Sequence, residues 1–229
     1  MSNLTVSQRP DSWCSVRKTI CTIFAAGLFA ALLIAGPEAK AWNSTDMTGV
    51  LPSLDFTMTR ASDGKTVTSA DFKGKVVLLY FGYTSCPDVC PTTLLDIGTM
   101  LKTLGKKVDD VRVLFVTVDP GRDTLPVLKS YVAAFAPQVV GLRGTPDQLA
   151  TLAKRYRVAY SVQPASNGNP PEVTHGSAVY VFDRNGAMRL LFTGLAAPNA
   201  KLTGMTADLR QLVSQSGRFS LWQWIEDTI

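Results

Sequence analysis

Residues 78–93 read LLYFGYTSCPDVCPTT: an apolar run, a loop holding Cys86 and Cys90, and the opening of a helically spaced segment. The apolar stretch is unbroken from Val76 to Gly82, the pattern of a strand buried on both faces, because a half-exposed strand alternates. Beyond the loop, Leu94, Leu95, Ile97, Leu101 and Leu104 recur at helical intervals and predict a helix. A cysteine loop joining a buried strand to a helix is the thioredoxin-type placement. It puts both cysteines at the carboxyl edge of a sheet, where α/β proteins build their sites.

The flanking segments extend the same reading. Upstream, residues 54–75 alternate around Ser62-Asp63-Gly64 and predict a hairpin. Downstream, Val111 to Val118 is a second buried strand, ending at Asp119-Pro120. Thr124 then stands as an N-cap with Pro126 in the first turn of a helix. Thr145-Pro146-Asp147-Gln148 is a capping box that opens a helix running to about Tyr156. After a short segment from Val158 to Val162 comes a loop rich in Pro, Gly and Asn, residues 163–175. The strand SAVYVFD (177–183) turns through Asp183-Arg184-Asn185-Gly186 into AMRLLF, and a last helix is expected from Ala200 to Val213. Together these predict an α/β sandwich: a central mixed β-sheet flanked by helices, with an N-terminal β-hairpin.

At the N-terminus, Arg17 and Lys18 precede an apolar run of about 16 residues, and Ala39 and Ala41 come after it with the spacing of a small-residue cleavage site. Residues 1–41 therefore read as a signal peptide, or as an uncleaved membrane anchor, since the run is slightly short of the roughly 20 residues that span a bilayer. Either way the remainder is expected outside the cytoplasm, in the periplasm or its equivalent. Residues 42–54 read as a linker or extended arm, 55–215 as the folded domain, and 216–229 as an aromatic tail, FSLWQWIEDTI at its end. Residues 42–229 hold 19 of the 23 basic and 16 of the 18 acidic side chains, a net charge of +3 with no basic run. Nothing in that balance supports nucleic-acid binding.

Cys14 and Cys21 fall in the leader, so the exported domain has only Cys86 and Cys90. On a helix, residues four apart rise about 6 Å and share a face, so these two sulfurs could bridge or share a metal. A stabilising disulfide is disfavoured, because closing so short a loop removes little entropy from the unfolded chain. A redox couple fits the placement, although that motif ordinarily has two intervening residues and this one has three. A metal clamp needs a further ligand, and His175 is the single histidine of the chain. In a thioredoxin-type sheet, the loop entering the strand after His175 lies beside the cysteine loop. Two thiolates and one imidazole form a soft, three-donor set that selects Cu(I), and an added oxygen lets it hold Cu(II). Zinc would want a fourth strong ligand, which Asp88 or Asp119 could supply.

Three blocks, FGYTSCPDVCPTTL (81–94), VDPGRDT (118–124) and VTHGSAVYVFD (173–183), resemble in content and order the signatures of the Sco (SenC) family of copper metallochaperones. The resemblance covers about residues 50–215. It implies a thioredoxin-like fold of the peroxiredoxin-like variant, with one copper, Cu(I) or Cu(II), held by Cys86, Cys90 and His175. It also implies delivery of copper to the binuclear copper site of cytochrome c oxidase subunit II, or reduction of that site's cysteines. Another copper chaperone and a thiol reductant would be further partners, and the chain would not be a turnover enzyme. Asp119 matches the family's strand-end aspartate and would act behind the ligands; as a turn-forming Asp-Pro it needs no such role. The competing reading is an extracytoplasmic thiol-disulfide reductase that uses Cys86 and Cys90 without obligatory metal. Thiol oxidoreductases of this type place a cis-proline where Thr174-His175-Gly176 stands here, which favours a ligand at that junction. A peroxiredoxin-like peroxidase is weaker still, since its threonine before the nucleophile is missing from Thr84-Ser85-Cys86.

Overall fold

The computed structural model describes residues 41–163 and 172–215; the leader, most of the Pro/Gly/Asn loop and the aromatic tail lie outside the described residues. In chain order the elements are β1 (Thr45–Asp46), β2 (Thr57–Arg60), β3 (Thr66–Thr68), β4 (Val76–Gly82), α1 (Val89–Lys102), β5 (Val111–Thr117) and α2 (Leu125–Ala133). They continue with β6 (Val139–Arg143), α3 (Pro146–Arg155), β7 (Tyr160–Gln163), β8 (Glu172–His175), β9 (Val179–Phe182), β10 (Met188–Phe192) and α4 (Leu202–Ser214). Single 3-10 turns cover Ser69–Phe72 and Gly105–Asp110.

Eight strands form one mixed sheet in the order β1-β10-β9-β4-β5-β6-β2-β3. β4, β5 and β6 are parallel, β9 runs antiparallel to β4, and the hairpins β2–β3 and β9–β10 complete the two sides. The two turns the sequence marked are made by glycines in the left-handed region, Gly64 at φ +70° and Gly186 at φ +83°, where a side chain would be strained. β7 and β8 form a separate two-stranded ribbon, with Tyr160 opposite His175.

All seven residues of β4 are buried, and its side chains feed two cores alternately. Val76, Leu78 and Tyr80 face a core with α1, α2 and α4, built from Leu94, Ile97, Leu128, Leu209 and Leu212. Val77, Leu79 and Phe81 face the other, where α3 contributes Leu149 and Leu152 and the β2–β3 hairpin contributes Met58 and Val67. This two-sided burial is why the strand reads as an unbroken apolar run. Each large side chain taken fully out of water here contributes about 1.5–3 kcal/mol.

The caps form where the sequence places them. The Thr124 hydroxyl accepts from the Val127 N–H, and Thr145 with Gln148 makes the reciprocal capping box. One expectation needs correction: the helix that the spacing carried to Leu104 ends at Lys102. Leu95 is 59 % exposed, because it faces outward between the buried Leu94 and Ile97. Leu104 is buried but lies past the end of α1. Within residues 42–54, Thr45–Asp46 pairs with β10, and the buried Asp208 carboxylate accepts from the backbone N–H groups of Asn43 and Ser44.

Candidate metal centre

Gly82 closes β4, and the chain then bends through Tyr83–Asp88 before α1 begins at Val89. Cys90 therefore sits in the first helical turn and Cys86 in the loop ahead of it. The two are not on one helix face, as their spacing alone suggested. Instead Cys86 lies over the helix N-terminus, and the Cys90 N–H points at its Sγ at 3.4 Å. A helix N-terminus favours negative charge, and a thiolate there is stabilised.

His175 ends β8, so the ribbon and not the loop entering β9 carries it to the cysteines. Its Nε2 is 3.2 Å from Cys90 Sγ. Its Nδ1 is 2.9 Å from the Gly176 carbonyl, an oxygen that can only accept, so the proton belongs on Nδ1 and the Nε2 lone pair faces the sulfurs. The ring stands edge-on to Tyr83, with centroids 5.7 Å apart, and to Tyr80 at 6.2 Å. The three ligand atoms lie within 4.8 Å of one another and are the one such Cys/His/acid group among the described residues. Bonds of about 2.0–2.3 Å to a single ion hold its ligands roughly 3.5–4.5 Å apart, so little more than side-chain rotation separates this arrangement from coordination.

The two thiols are unbridged and differ in character. Burial would raise the Cys86 thiol, but the N–H and thiol of Cys90, the Asp88 N–H and the Tyr83 hydroxyl outweigh it and hold Cys86 below its ordinary value. Burial pushes Cys90 up to about 12. Behind Cys90, the Tyr80 hydroxyl lies against the sulfur and the Thr93 hydroxyl, and burial raises its pKa strongly. Among the described residues neither hydroxyl completes a hydrogen bond of good geometry, and the Tyr131 hydroxyl also finds no partner there.

A buried carboxylate fixes the loop. Asp123 accepts from the Thr84 N–H at 3.0 Å, the Thr84 hydroxyl at 2.6 Å and the Thr117 hydroxyl at 2.5 Å, tying the cysteine loop to the end of β5. Asp119, the acid singled out in the sequence, pairs with Arg122, and its N–H donates to Thr117 Oγ1 at 3.0 Å. It is not brought into the three-ligand group, and neither is Asp88, which stands at the N-cap of α1. Sequence reasoning passed over Tyr80, Gly82, Tyr83 and Asp123. All four lie in or beside the quoted blocks, but only their contacts separate them from their neighbours.

The SCO1/SenC family profile matches residues 51–214. The protein SCO2 homolog, mitochondrial, of Mus musculus is 34 % identical over 186 residues, 78 % of this chain and 72 % of that protein. The SCO2-like protein of Rickettsia felis is 37 % identical over 125 residues, covering 54 % of this chain and 61 % of its own length. Among solved structures, Bradyrhizobium japonicum ScoI with copper bound is 37 % identical with a TM-score of 0.61, covering 70 % of this chain and 98 % of that one. Yeast Sco1 with copper bound is 32 % identical with a TM-score of 0.62, covering 72 % and 90 %. The fold expected from the cysteine loop is thus the fold of these proteins, and the chain belongs to the SCO1/SenC family.

Proposed function

We propose that this chain is a copper metallochaperone that takes one copper ion on Cys86 Sγ, Cys90 Sγ and His175 Nε2, outside the cytoplasm. The recipient in this reading is the binuclear copper site of cytochrome c oxidase subunit II. The observation that carries it is the convergence of two unbridged thiols and an imidazole lone pair within 4.8 Å. Copper in solved relatives of the same fold supports it. Two sulfurs and one nitrogen are a set for Cu(I), and the partly exposed His175 edge leaves room for an oxygen donor that Cu(II) would use. Cys86 is the entry ligand, being the more accessible thiol and the one held toward thiolate. Cys90 gives up its proton as the ion arrives, so loading releases protons. Asp123 and the Gly176 carbonyl hold the loop and the imidazole in register throughout. Among the described residues no helix is long and apolar enough to cross a membrane.

The same thiol asymmetry favours a second activity, reduction of the recipient's cysteines. Cys86 thiolate attacks a client disulfide and forms a mixed disulfide, releasing one client thiolate. Cys90 then attacks Cys86, frees the second client thiolate and leaves Cys86–Cys90 oxidised, so two electrons have passed to the client.

The test is copper titration of the reduced protein, comparing wild type with His175→Ala. Losing a partner behind a ligand costs about 10- to 100-fold in affinity, so losing the ligand should weaken Cu(II) binding by more than about 100-fold and abolish the wild-type thiolate-to-copper absorption. Equal binding by the variant would sink the copper site. Client reduction that His175→Ala leaves untouched would assign the cysteines to the second activity.

A further inference from the structure

Tyr80 stands on β4, two residues before Gly82, and its side chain enters the core on the α1 side, where it is fully buried. A phenylalanine would fill the same space, so the hydroxyl is the part that needs a reason. Among the described residues it has no hydrogen-bond partner of good geometry, and neither has the hydroxyl of the fully buried Thr93 beside it. Buried polar groups left unpaired are costly and few in native proteins. Two of them in contact, with the Tyr80 hydroxyl also within reach of Cys90 Sγ, point to a common cause.

The sulfur supplies one. A protonated thiol is a weak acceptor, and a phenol gains little from it. A metal-bound thiolate carries negative charge, and hydrogen bonds to a charged acceptor are roughly twice as strong as neutral ones. The backbone N–H of Tyr83 also reaches this sulfur, and His175 Nε2 stands 3.2 Å from it, with the imidazole edge-on to the Tyr80 ring at 6.2 Å. Of these neighbours, the phenol is a side-chain donor that remains unsatisfied until the sulfur becomes a good acceptor.

We propose that Tyr80 is a positioning residue of the metal centre: its hydroxyl donates to Cys90 Sγ when that sulfur binds copper, accepts from Thr93 Oγ1, and biases the site toward Cu(I). The inference rests on the copper reading above. Cu(I) draws less charge from a thiolate than Cu(II) does, so the sulfur it binds is the stronger acceptor. Hydrogen bonding at a copper-bound cysteine sulfur is a known lever on the potential of the ion.

Tyr80→Phe removes one oxygen and keeps the ring. In the reduced, metal-free protein its Tm should equal or exceed that of wild type, because the lost hydroxyl is unpaired there. Cu(I) affinity should fall about 10- to 100-fold and Cu(II) affinity by less. The thiolate-to-copper absorption should move to longer wavelength, since a sulfur relieved of a hydrogen bond gives up its electron more readily. Tyr131→Phe removes another hydroxyl unpaired among the described residues, one that acts on the cysteines without a hydrogen bond, and should leave affinities and absorption at wild-type values. A lower Tm for metal-free Tyr80→Phe would overturn the inference, because the hydroxyl would then be bonded before copper arrives. So would wild-type affinities and absorption in that variant, a larger loss for Cu(II) than for Cu(I), or an equal shift in Tyr131→Phe. Wild type with neither tight copper binding nor the absorption would overturn the copper reading itself, and this inference with it.

Discussion

Gly82→Ala perturbs the metal centre from inside the sheet. A Cβ built on Gly82 would lie 2.6 Å from Phe115 Cε2 and 3.1 Å from Cys90 Sγ. Ordinary contact begins near 3.4 Å, so the ring edge must retreat about 0.8 Å and the sulfur about 0.3 Å. Phe115 is fully buried and cannot yield freely, since its ring already packs on Tyr80 at 5.9 Å and Tyr131 at 5.4 Å. Overpacking of this kind costs about 1–3 kcal/mol. Removing a glycine from a strand interior returns about 0.5–1 kcal/mol, so steric cost prevails and the net loss is about 1–2 kcal/mol. For a domain of this size that lowers Tm by roughly 3–6 °C. The displaced sulfur is the one that stands 3.2 Å from His175 Nε2, so the thiolate-to-copper absorption should shift and copper affinity should fall in the same variant. Differential scanning calorimetry of the reduced protein and copper titration read the two effects. A variant with unchanged or higher Tm would refute the close approach of β4, Phe115 and Cys90 on which the reasoning stands.

Asp123→Ala leaves two hydroxyls and the Thr84 N–H without their buried acceptor and should cost about 3–5 kcal/mol in denaturant unfolding, whereas a loss below about 1 kcal/mol would mean that water replaces the carboxylate. Thr93→Val removes a fully buried hydroxyl that has no hydrogen-bond partner among the described residues while keeping its shape, so the reduced protein should become about 1 kcal/mol more stable; destabilisation would show that the hydroxyl is bonded, to Cys90 or to Tyr80. Alkylation by iodoacetamide should mark Cys86 first, because its thiol is held below the ordinary value, and its rate should level off at a lower pH than that of a free cysteine. Cys90, pushed up to about 12, should stay protonated through the neutral range, its rate still rising about ten-fold per pH unit at pH 9; peptide mapping that finds equal labelling would contradict this asymmetry.

Residues 76–102 announced their fold because both faces of β4 are buried and one side of α1 is apolar, and local pattern carries both facts. The turns at Gly64 and Gly186 were legible for a similar reason, as each needs a backbone conformation that few residues adopt. The exposure of Leu95 was not legible, because helical spacing tells which residues are near one another on a helix, not which way the helix is rolled against its sheet. The β7–β8 ribbon escaped notice because its strand residues are largely polar and border a loop rich in turn formers, so neither period nor length marked Glu172–His175 as a strand.

By itself, the sequence determined the chemistry on offer: two thiols four residues apart after a buried strand, one imidazole, and a family signature spread over three blocks. Only the tertiary structure decided how those groups stand to one another. Cys86 and His175 are 89 positions apart in the chain, and their meeting depends on β9 pairing with β4 and on a ribbon that positions the imidazole. The difference between the two thiols is likewise tertiary, because burial and the helix N-terminus act on Cys90 and Cys86 in opposite directions. Asp119 and Asp123 illustrate the same limit. Four residues apart in one block, they are alike as residue types, yet one pairs with Arg122 and the other holds the cysteine loop, a distinction made by contacts that no local pattern encodes.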